Sequence, residues 1–149
     1  MRRISTSPDA AFAGLRVLVA DDSEINRGLA TNLLTMLGCI TSTAANGYAA
    51  VESFQKNDFD LILMDCRMPG LDGFAATRAI RSFEQTINAF PTPILALTVS
   101  PLPSTREQCL QAGMDDCVAK PIRIATLKRH LEACLPNAQP TDQPLRRAA

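Results

Sequence analysis

The sequence predicts an α/β fold, a doubly wound parallel sheet of five strands covered by helices on both faces. Three observations predict it. Short apolar runs alternate five times with amphipathic stretches, the apolar runs are nearly continuous, and most of them stop at a polar residue. Nearly continuous apolar strands are typical of parallel sheets that are buried on both faces, and strand–helix alternation is typical of right-handed crossover connections.

The five strands are expected where apolar or β-branched runs occur. Their expected ranges are 15–20, 39–45, 59–65, 93–98 and 115–119. The third run, FDLILMD, is the most apolar in the chain. We therefore expect it in the middle of the sheet, where both faces of a strand are covered.

The first two helices have clear boundary signals. The first helix is expected from Ser23 to Leu37, with Gly38 as its stop, and Asn46 is expected to cap the second. Helical spacing of apolar residues predicts the inward faces. These are Ile25, Leu29, Leu33 and Met36 in the first helix, and Ala50, Val51 and Phe54 in the second.

The later helices are predicted from glycine, proline and the same apolar spacing. The third helix is expected to start after Gly73, and the fourth is expected to follow Pro103 and to end at Gly113. The expected inward residues are Phe74, Thr77 and Ile80 in the third helix, and Ile124, Leu127, Leu131 and Cys134 in the fifth.

Length and composition predict one globular domain. With 149 residues, of which 46% are hydrophobic, the chain is long enough to bury its own core. We expect a flexible extension at residues 1–13, the domain at 14–135 and a disordered tail at 136–149. The tail is rich in proline, glutamine and alanine and has no periodic apolar pattern, which is typical of disorder.

Charge and cysteine content exclude several function classes. The formal net charge is zero, so no general attraction to nucleic acid or to an anionic membrane is expected. No run approaches the roughly 20 apolar residues of a membrane span. The five cysteines form no C-x-x-C pair, which favours reduced, buried thiols and a cytoplasmic location over a disulfide framework or a zinc site.

Polar residues at the strand ends are the candidate functional residues. Asp21 and Asp22 follow the first strand, Asp65 ends the third, Thr98 ends the fourth, and Lys120 follows the fifth. Ligands of open α/β sheets bind at the carboxyl ends of the strands. We therefore expect these side chains to lie in one crevice.

Three carboxylates in that crevice predict a metal site. Crowding of Asp21, Asp22 and Asp65 would raise the pKa of at least one of them, and a hard divalent cation such as Mg²⁺ or Mn²⁺ would relieve the repulsion. Ser23 could cap the first helix and leave both aspartates available. The alternative is that Asp21 and Asp22 cap the helix themselves and face solvent.

The remaining residues fit phosphoryl transfer. A carboxylate that emerges from the middle of the sheet, as expected for Asp65, can act as a nucleophile that forms an aspartyl phosphate. Such a transfer also requires a metal ion and groups that stabilise the equatorial phosphoryl oxygens. Lys120 offers a compact positive charge, and Thr98 offers a hydroxyl donor.

Four segments, in order and at matching spacing, carry a family resemblance: VLVADDSEINR, DLILMDCRMPGLDGFAATRAIR, ILALT and CLQAGMDDCVAKPI. On these segments the chain resembles the receiver domain of two-component response regulators, most closely the receivers of hybrid sensor histidine kinases. The resemblance covers about residues 14–135. It implies a flavodoxin-like (βα)5 fold with strand order 2-1-3-4-5, and a cis peptide bond between Lys120 and Pro121.

The resemblance also assigns roles to the site residues. It implies that Asp65 is the phosphoacceptor and that Asp22 binds Mg²⁺ directly, with Asp21 acting through water. The backbone carbonyl of Arg67 would complete the metal shell. Two further roles are implied: Thr98 as the switch hydroxyl and Lys120 as the residue that holds the phosphoryl group.

The implied partners are proteins of a phosphorelay. A histidine kinase or a histidine phosphotransfer protein would donate the phosphoryl group. A downstream protein would contact the face formed by the fourth helix, fifth strand and fifth helix. The domain would be a signalling module, a monomer or a weak dimer, that catalyses only its own phosphorylation and dephosphorylation. Whether it is free-standing or part of a hybrid kinase stays open.

Three departures from the family pattern affect the expected output. Cys117 occupies the switch position where the family usually has tyrosine or phenylalanine, so the usual inward swing of an aromatic ring is lost. Val99 stands where alanine or glycine is usual and is expected to narrow the entrance to Asp65. Pro101 and Pro103 are expected to stiffen the loop before the fourth helix.

Two other functions share part of this pattern. An aspartate-nucleophile phosphatase of the haloacid dehalogenase type would carry an acid two residues after the nucleophile, where this chain has Arg67. A pseudo-receiver would dock without phosphorylation. Arg67 could shield the phosphoryl group, pair with Glu24, or simply be solvated. His130 is expected to be a surface residue without a relay role.

Overall fold

The computed structural model describes residues 12–135. The expected N-terminal extension and C-terminal tail lie outside this range, apart from Phe12 and Ala13. Within it, strands and helices alternate: β1 (Arg16–Ala20), α1 (Glu24–Met36), β2 (Ile40–Ala44), α2 (Gly47–Lys56), β3 (Leu61–Asp65), α3 (Gly73–Thr86), β4 (Ile94–Thr98), α4 (Pro103–Ala112), β5 (Asp116–Ala119) and α5 (Ile124–Cys134). No helix in this range has the length and apolar composition needed to cross a membrane.

The five strands form one parallel sheet in the order β2-β1-β3-β4-β5. This confirms the predicted fold class and strand order. Every residue of β3 is buried, as expected for the central strand. β3 pairs with β1 and β4, so the end of β3 lies between the ends of those two strands.

The sheet separates two apolar cores, because successive side chains of a strand point to opposite faces. Leu61 and Leu63 of β3 face the core covered by α1 and α5. Ile62 and Met64 face the core covered by α2, α3 and α4. Phe12, just before β1, is buried in the first core.

The predicted inward face of α1 is confirmed only in part: Leu33 packs against the first core, but Ile25 is 83% exposed and Met36 is 66% exposed. The fully buried residues are instead Ala30 and Leu34, together with Leu37, which ends the helix. These buried residues follow the same helical spacing on a neighbouring stripe. Both stripes are apolar in the sequence, so spacing alone could not identify the one that packs on the sheet.

Most of the predicted helix boundaries are confirmed. Asn46 caps α2 by accepting a hydrogen bond from the Ala49 backbone N–H at 2.8 Å. Gly113 ends α4 with a φ of 107°, a left-handed conformation that glycine adopts readily. α3 starts at Gly73 itself, and a Cβ atom at this position would lie 2.0 Å from the Asp65 carbonyl oxygen. Gly73 therefore permits the close contact between the start of α3 and the end of β3.

Arg81 ties α3 to the opposite end of the sheet from Asp65. Its guanidinium donates to the carbonyl oxygens of Gly113 (2.9 Å) and Thr92 (2.8 Å), and to the carboxylates of Glu84 (2.9 Å) and Asp115 (3.2 Å). Glu84 is buried and accepts a second hydrogen bond from the Thr92 backbone N–H at 2.7 Å. One side chain thus joins α3 to the segments before β4 and β5.

Replacing Arg81 with alanine should lower the free energy of unfolding by about 3 kcal/mol, since the buried Glu84 carboxylate would lose its ion-pair partner. Arg78 is an exposed arginine of the same helix, and Arg78→Ala should cost less than about 0.5 kcal/mol. Denaturant unfolding of both variants measures the difference. Equal losses would show that the Arg81 contacts contribute nothing specific.

Candidate functional site

The predicted site residues meet at the carboxyl edge of the sheet. Asp65 is the last residue of β3, and Thr98 is the last residue of β4. Asp21 follows β1 directly, and Lys120 follows β5. Because β3 lies between β1 and β4, Asp65 occupies the centre of this edge.

Lys120 bridges two buried carboxylates. Its Nζ lies 3.0 Å from Asp65 Oδ1 and 3.2 Å from Asp21 Oδ2. Both aspartates are buried, and the lysine side chain is 13% exposed. Solvent and salt screen buried ion pairs only weakly, so the positive charge of Lys120 strongly stabilises the negative charges of the two aspartates.

The surroundings raise the pKa of Asp65 to about 6. Burial is the largest cause, and the nearby Asp21 charge adds to it. Lys120 and the Arg67 backbone N–H, which donates to Asp65 Oδ1 at 3.3 Å, act in the opposite direction. The lysine and the backbone hydrogen bond therefore offset only part of the effect of burial and of the Asp21 charge.

Lys120 remains a cation in this environment. Burial alone would lower its pKa, but hydrogen bonds and charge attraction to Asp65 and Asp21 outweigh burial and raise the pKa above its ordinary value. The cis peptide bond predicted between Lys120 and Pro121 is present. The Lys120 backbone N–H also donates to the Thr98 carbonyl oxygen at 2.8 Å.

Ser23 caps α1, as one of the two alternatives for this segment predicted. Its hydroxyl oxygen accepts from the Asn26 backbone N–H at 3.2 Å. Asp21 Oδ1 in turn accepts from the Ser23 backbone N–H at 2.9 Å, and the Asp21 carbonyl accepts from Arg27 at 2.7 Å. The loop after β1 is thus held in place without using Asp22.

The three aspartates form a group that could hold a metal ion. One carboxylate oxygen from each of Asp21, Asp22 and Asp65 lies within 4.8 Å of the others. Asp22 is exposed, whereas Asp21 is buried and its Oδ2 contacts Lys120. A set of three carboxylates that supplies only oxygen ligands fits a hard divalent cation such as Mg²⁺.

A cleft of about 380 Å³ opens beside this group. Its lining residues come from the loop after β1, from the β3–α3 loop and from the start of α3: Asp22, Cys66, Arg67, Met68, Pro69, Asp72 and Phe74. Solvent and small molecules can therefore reach the acidic edge from this side. Val99, which we expected to narrow the entrance to Asp65, is 76% exposed and does not line this cleft.

The side chain of Thr98 is buried, whereas that of Arg67 is exposed. Thr98 is buried at the edge of the sheet, and its hydroxyl oxygen accepts from the Ser100 backbone N–H at 3.1 Å. The Arg67 side chain is exposed, and the ion pairs found within residues 12–135 do not include one with Glu24.

Cys117, at the expected switch position, is half-buried on β5 and packs against the core beneath α4. Its neighbours in that core include Cys66 and Cys109. The β5 side chain that faces this core at position 117 is therefore a small thiol.

Sequence reasoning missed a polar cluster across α4, β5 and α5. Asp116 contacts Arg106 through one carboxylate oxygen, and His130 Nδ1 lies 3.6 Å from the other. His130 is half-buried, so the expectation of a simple surface histidine was incomplete. In the sequence, these residues are visible only as opposite charges on separate elements. Such charges do not show which residues pair before the fold is known.

Comparison with known proteins agrees with this geometry. The family model described as "Response regulator receiver domain" matches residues 17–132. The sensor protein GacS of Pseudomonas syringae pv. syringae is 42% identical over 120 residues, which are 80% of this chain and 13% of GacS. The chain therefore spans about an eighth of the length of this curated relative.

Two solved structures are similar over most of the chain. The receiver domain of the sensor histidine kinase PA1611 from Pseudomonas aeruginosa, with a magnesium ion coordinated in its active-site cleft, is 40% identical with a TM-score of 0.73. The match covers 84% of this chain and 100% of that one. A chain of the Saccharomyces cerevisiae co-crystal of the histidine phosphotransfer protein Ypd1 with the Ssk1 receiver domain is 28% identical, with a TM-score of 0.78, covering 89% and 97%.

Fold, strand order, acidic edge and sequence similarity agree with one another. This chain belongs to the response regulator receiver domain family.

Proposed function

We propose that this domain accepts a phosphoryl group on Asp65 from a phosphohistidine of a partner protein and then changes its protein–protein contacts. The observation that carries the proposal is the position of Asp65. Its carboxylate lies at the centre of the sheet edge, 3.0 Å from the Lys120 ammonium and beside two further aspartates. An aspartate nucleophile needs this combination of positive charge and metal-binding oxygens.

The proposed transfer is an in-line displacement at phosphorus. An oxygen of the Asp65 carboxylate attacks the phosphorus atom as the phosphorus–nitrogen bond to the donor imidazole breaks. The electron pair of that bond stays on the imidazole nitrogen, which takes up a proton. Lys120 moves from the carboxylate oxygen to a phosphoryl oxygen and balances the added charge.

Mg²⁺ is the proposed cofactor. Asp22, Asp65 and the backbone carbonyl of Arg67 would bind it directly, with Asp21 acting through water. The bound ion would neutralise charge on the phosphoryl oxygens during transfer. The grouping of three carboxylates supports this assignment, as does the magnesium ion in the cleft of the PA1611 receiver.

Thr98 and Cys117 are the proposed residues of the response. The Thr98 hydroxyl would leave the Ser100 N–H and donate to the new phosphoryl group, which would draw the end of β4 inward. The affected surface would be the face formed by α4, β5 and α5. Because Cys117 is small, the change in that face would not depend on burial of an aromatic ring.

The proposed partners follow from this chemistry. The donor would be a histidine kinase or a histidine phosphotransfer protein, the class represented by Ypd1 in the yeast complex. A downstream protein would bind the α4–β5–α5 face. The domain would act as a signalling module rather than an enzyme on other substrates. Its cytoplasmic location and its status as a free-standing or kinase-linked receiver stay predictions.

Asp65→Asn should abolish phosphorylation while the fold is retained, because an amide oxygen is a poor nucleophile and the side chain keeps its size. Intact-mass analysis after incubation with Mg²⁺ and acetyl phosphate should show one added phosphoryl group in the wild type and none in the variant. Glu132→Gln, an exposed acid on α5, is the control and should label normally. Normal labelling of Asp65→Asn would refute the assignment. If neither acetyl phosphate nor a phosphohistidine donor labels any of these proteins, and beryllofluoride does not bind, the result would support a pseudo-receiver.

Lys120→Met should destabilise the metal-free protein by about 3 kcal/mol, because two buried carboxylates would lose their shared counter-charge. Addition of Mg²⁺ should then raise the melting temperature more in the variant than in the wild type, since the cation replaces part of the missing charge. Lys56→Met, which removes an exposed lysine paired with Glu52, should leave the Mg²⁺ response unchanged. Thermal unfolding with and without MgCl₂ measures both effects, and equal Mg²⁺ responses would contradict the charge-balance argument.

Thr98→Ala should still accept the phosphoryl group but should transmit less of the signal, because the hydroxyl that would bind the phosphoryl oxygen is missing. Beryllofluoride added to the wild type should shift backbone amide NMR signals across α4, β5 and α5, and these shifts should shrink at least severalfold in the variant. Thr98→Ser keeps the hydroxyl and should respond like the wild type. Full-sized shifts in Thr98→Ala would show that the hydroxyl has no switching role.

A further inference from the structure

A cluster of thiols lies directly beneath the candidate site. Cys66 follows Asp65 at the end of β3, and its Sγ lies 3.8 Å from the Sγ of Cys109 on α4. Cys66 is 4% exposed and Cys109 is fully buried. Cys117 packs at the edge of the same core.

Both contacting sulfur atoms belong to free cysteines. Either sulfur can donate the S–H hydrogen to the other. The separation is less than two ångströms longer than a disulfide bond, for which the sulfur atoms must approach to about 2.05 Å.

Cys109 is also the main anchor of α4. Within this ten-residue helix only Cys109 and Ala112 are buried. The start of α4 has no side-chain capping hydrogen bond, and Leu102 and Leu110 are both exposed. A covalent bond at Cys109 would therefore restrain an element that few other buried side chains hold.

The acidic cleft gives small molecules access to the first of these thiols. Cys66 lines the cleft of about 380 Å³ beside Asp22. Cys109 does not line the cleft, but its sulfur contacts that of Cys66. A small oxidant that enters the cleft would meet Cys66 first and Cys109 second.

We propose that Cys66 and Cys109 form a peroxide-sensitive modification site, in which oxidation joins them by a disulfide bond and fastens α4 to the end of β3. In the first step the Cys66 sulfur attacks one oxygen of hydrogen peroxide. The O–O bond breaks, a sulfenic acid forms at Cys66, and water leaves. In the second step the Cys109 sulfur attacks the Cys66 sulfur, the S–O bond breaks, and a second water leaves. Two thiols are oxidised and one peroxide is reduced to two waters.

The consequence for signalling rests on the proposed function, but the cross-link itself does not. With Cys109 tied to the residue after Asp65, α4 would lose freedom to shift when the site is phosphorylated. Oxidation would then hold the α4–β5–α5 face in one arrangement. Thiol reductants would restore the response.

The test uses the full reduced chain treated with hydrogen peroxide while folded, followed by alkylation, intact-mass analysis and peptide mapping. The expected product has lost two hydrogen atoms and contains a peptide pair joined through Cys66 and Cys109. Cys109→Ser should lose this product, and Cys109→Ala serves if the serine variant folds poorly. Cys134→Ser, a half-buried cysteine on α5, is the matched control and should retain it.

Two further measurements separate the cross-link from the proposed function. Hydrogen exchange of the α4 backbone amides should slow at least severalfold on oxidation and recover with dithiothreitol. Asp65→Asn should form the same disulfide, whereas it should not label with acetyl phosphate. A disulfide mapped to Cys109 and Cys117, oxygen adducts without a cross-link, or unchanged α4 exchange in the oxidised protein would each overturn the proposal.

Discussion

The charge balance among Asp21, Asp65 and Lys120 is the interaction on which the functional edge of this protein depends. Two carboxylates are buried within reach of one ammonium group. A buried charge without compensation costs several kcal/mol, so the lysine stabilises both aspartates in their charged form. One positive charge still leaves the edge net negative, with Asp22 beside it. The site therefore has the electrostatics that attract a cation.

The sheet supplies the positions that this balance requires. Parallel pairing brings the ends of β1, β3 and β4 side by side, and β5 adds Lys120 from the far side of β4. Local features refine the positions: Ser23 caps α1, so Asp21 and Asp22 stay available, and Gly73 allows α3 to start against the end of β3. Each of these features lies in a segment that connects a strand to the next helix. The acidic edge is thus built from strand ends and from the loops that follow them.

Much of the fold and site could be predicted because both depend on local patterns. Strand runs that stop at Asp65, Thr98 or Lys120 identify the sheet edge without knowledge of any distant contact. The inward face of α1 could not be predicted, because Ile25 and Leu34 belong to two apolar stripes with the same spacing. The Asp116 cluster and the Cys66–Cys109 contact could not be predicted either, since they join residues from separate elements. Such contacts follow from the packing of helices on the sheet, which spacing along the chain does not encode.

The packing of α4 links the acidic edge of the sheet to the α4–β5–α5 face. α4 contributes few buried side chains, which is typical of elements that shift or open locally at a low free-energy cost. Asp116 on β5 contacts Arg106 of α4 on one side and His130 of α5 on the other. A displacement of α4 would therefore disturb a charge cluster that α5 shares. Because of this shared cluster, α4, β5 and α5 should change together, so a partner that binds this face would sense the state of Asp65 without touching it.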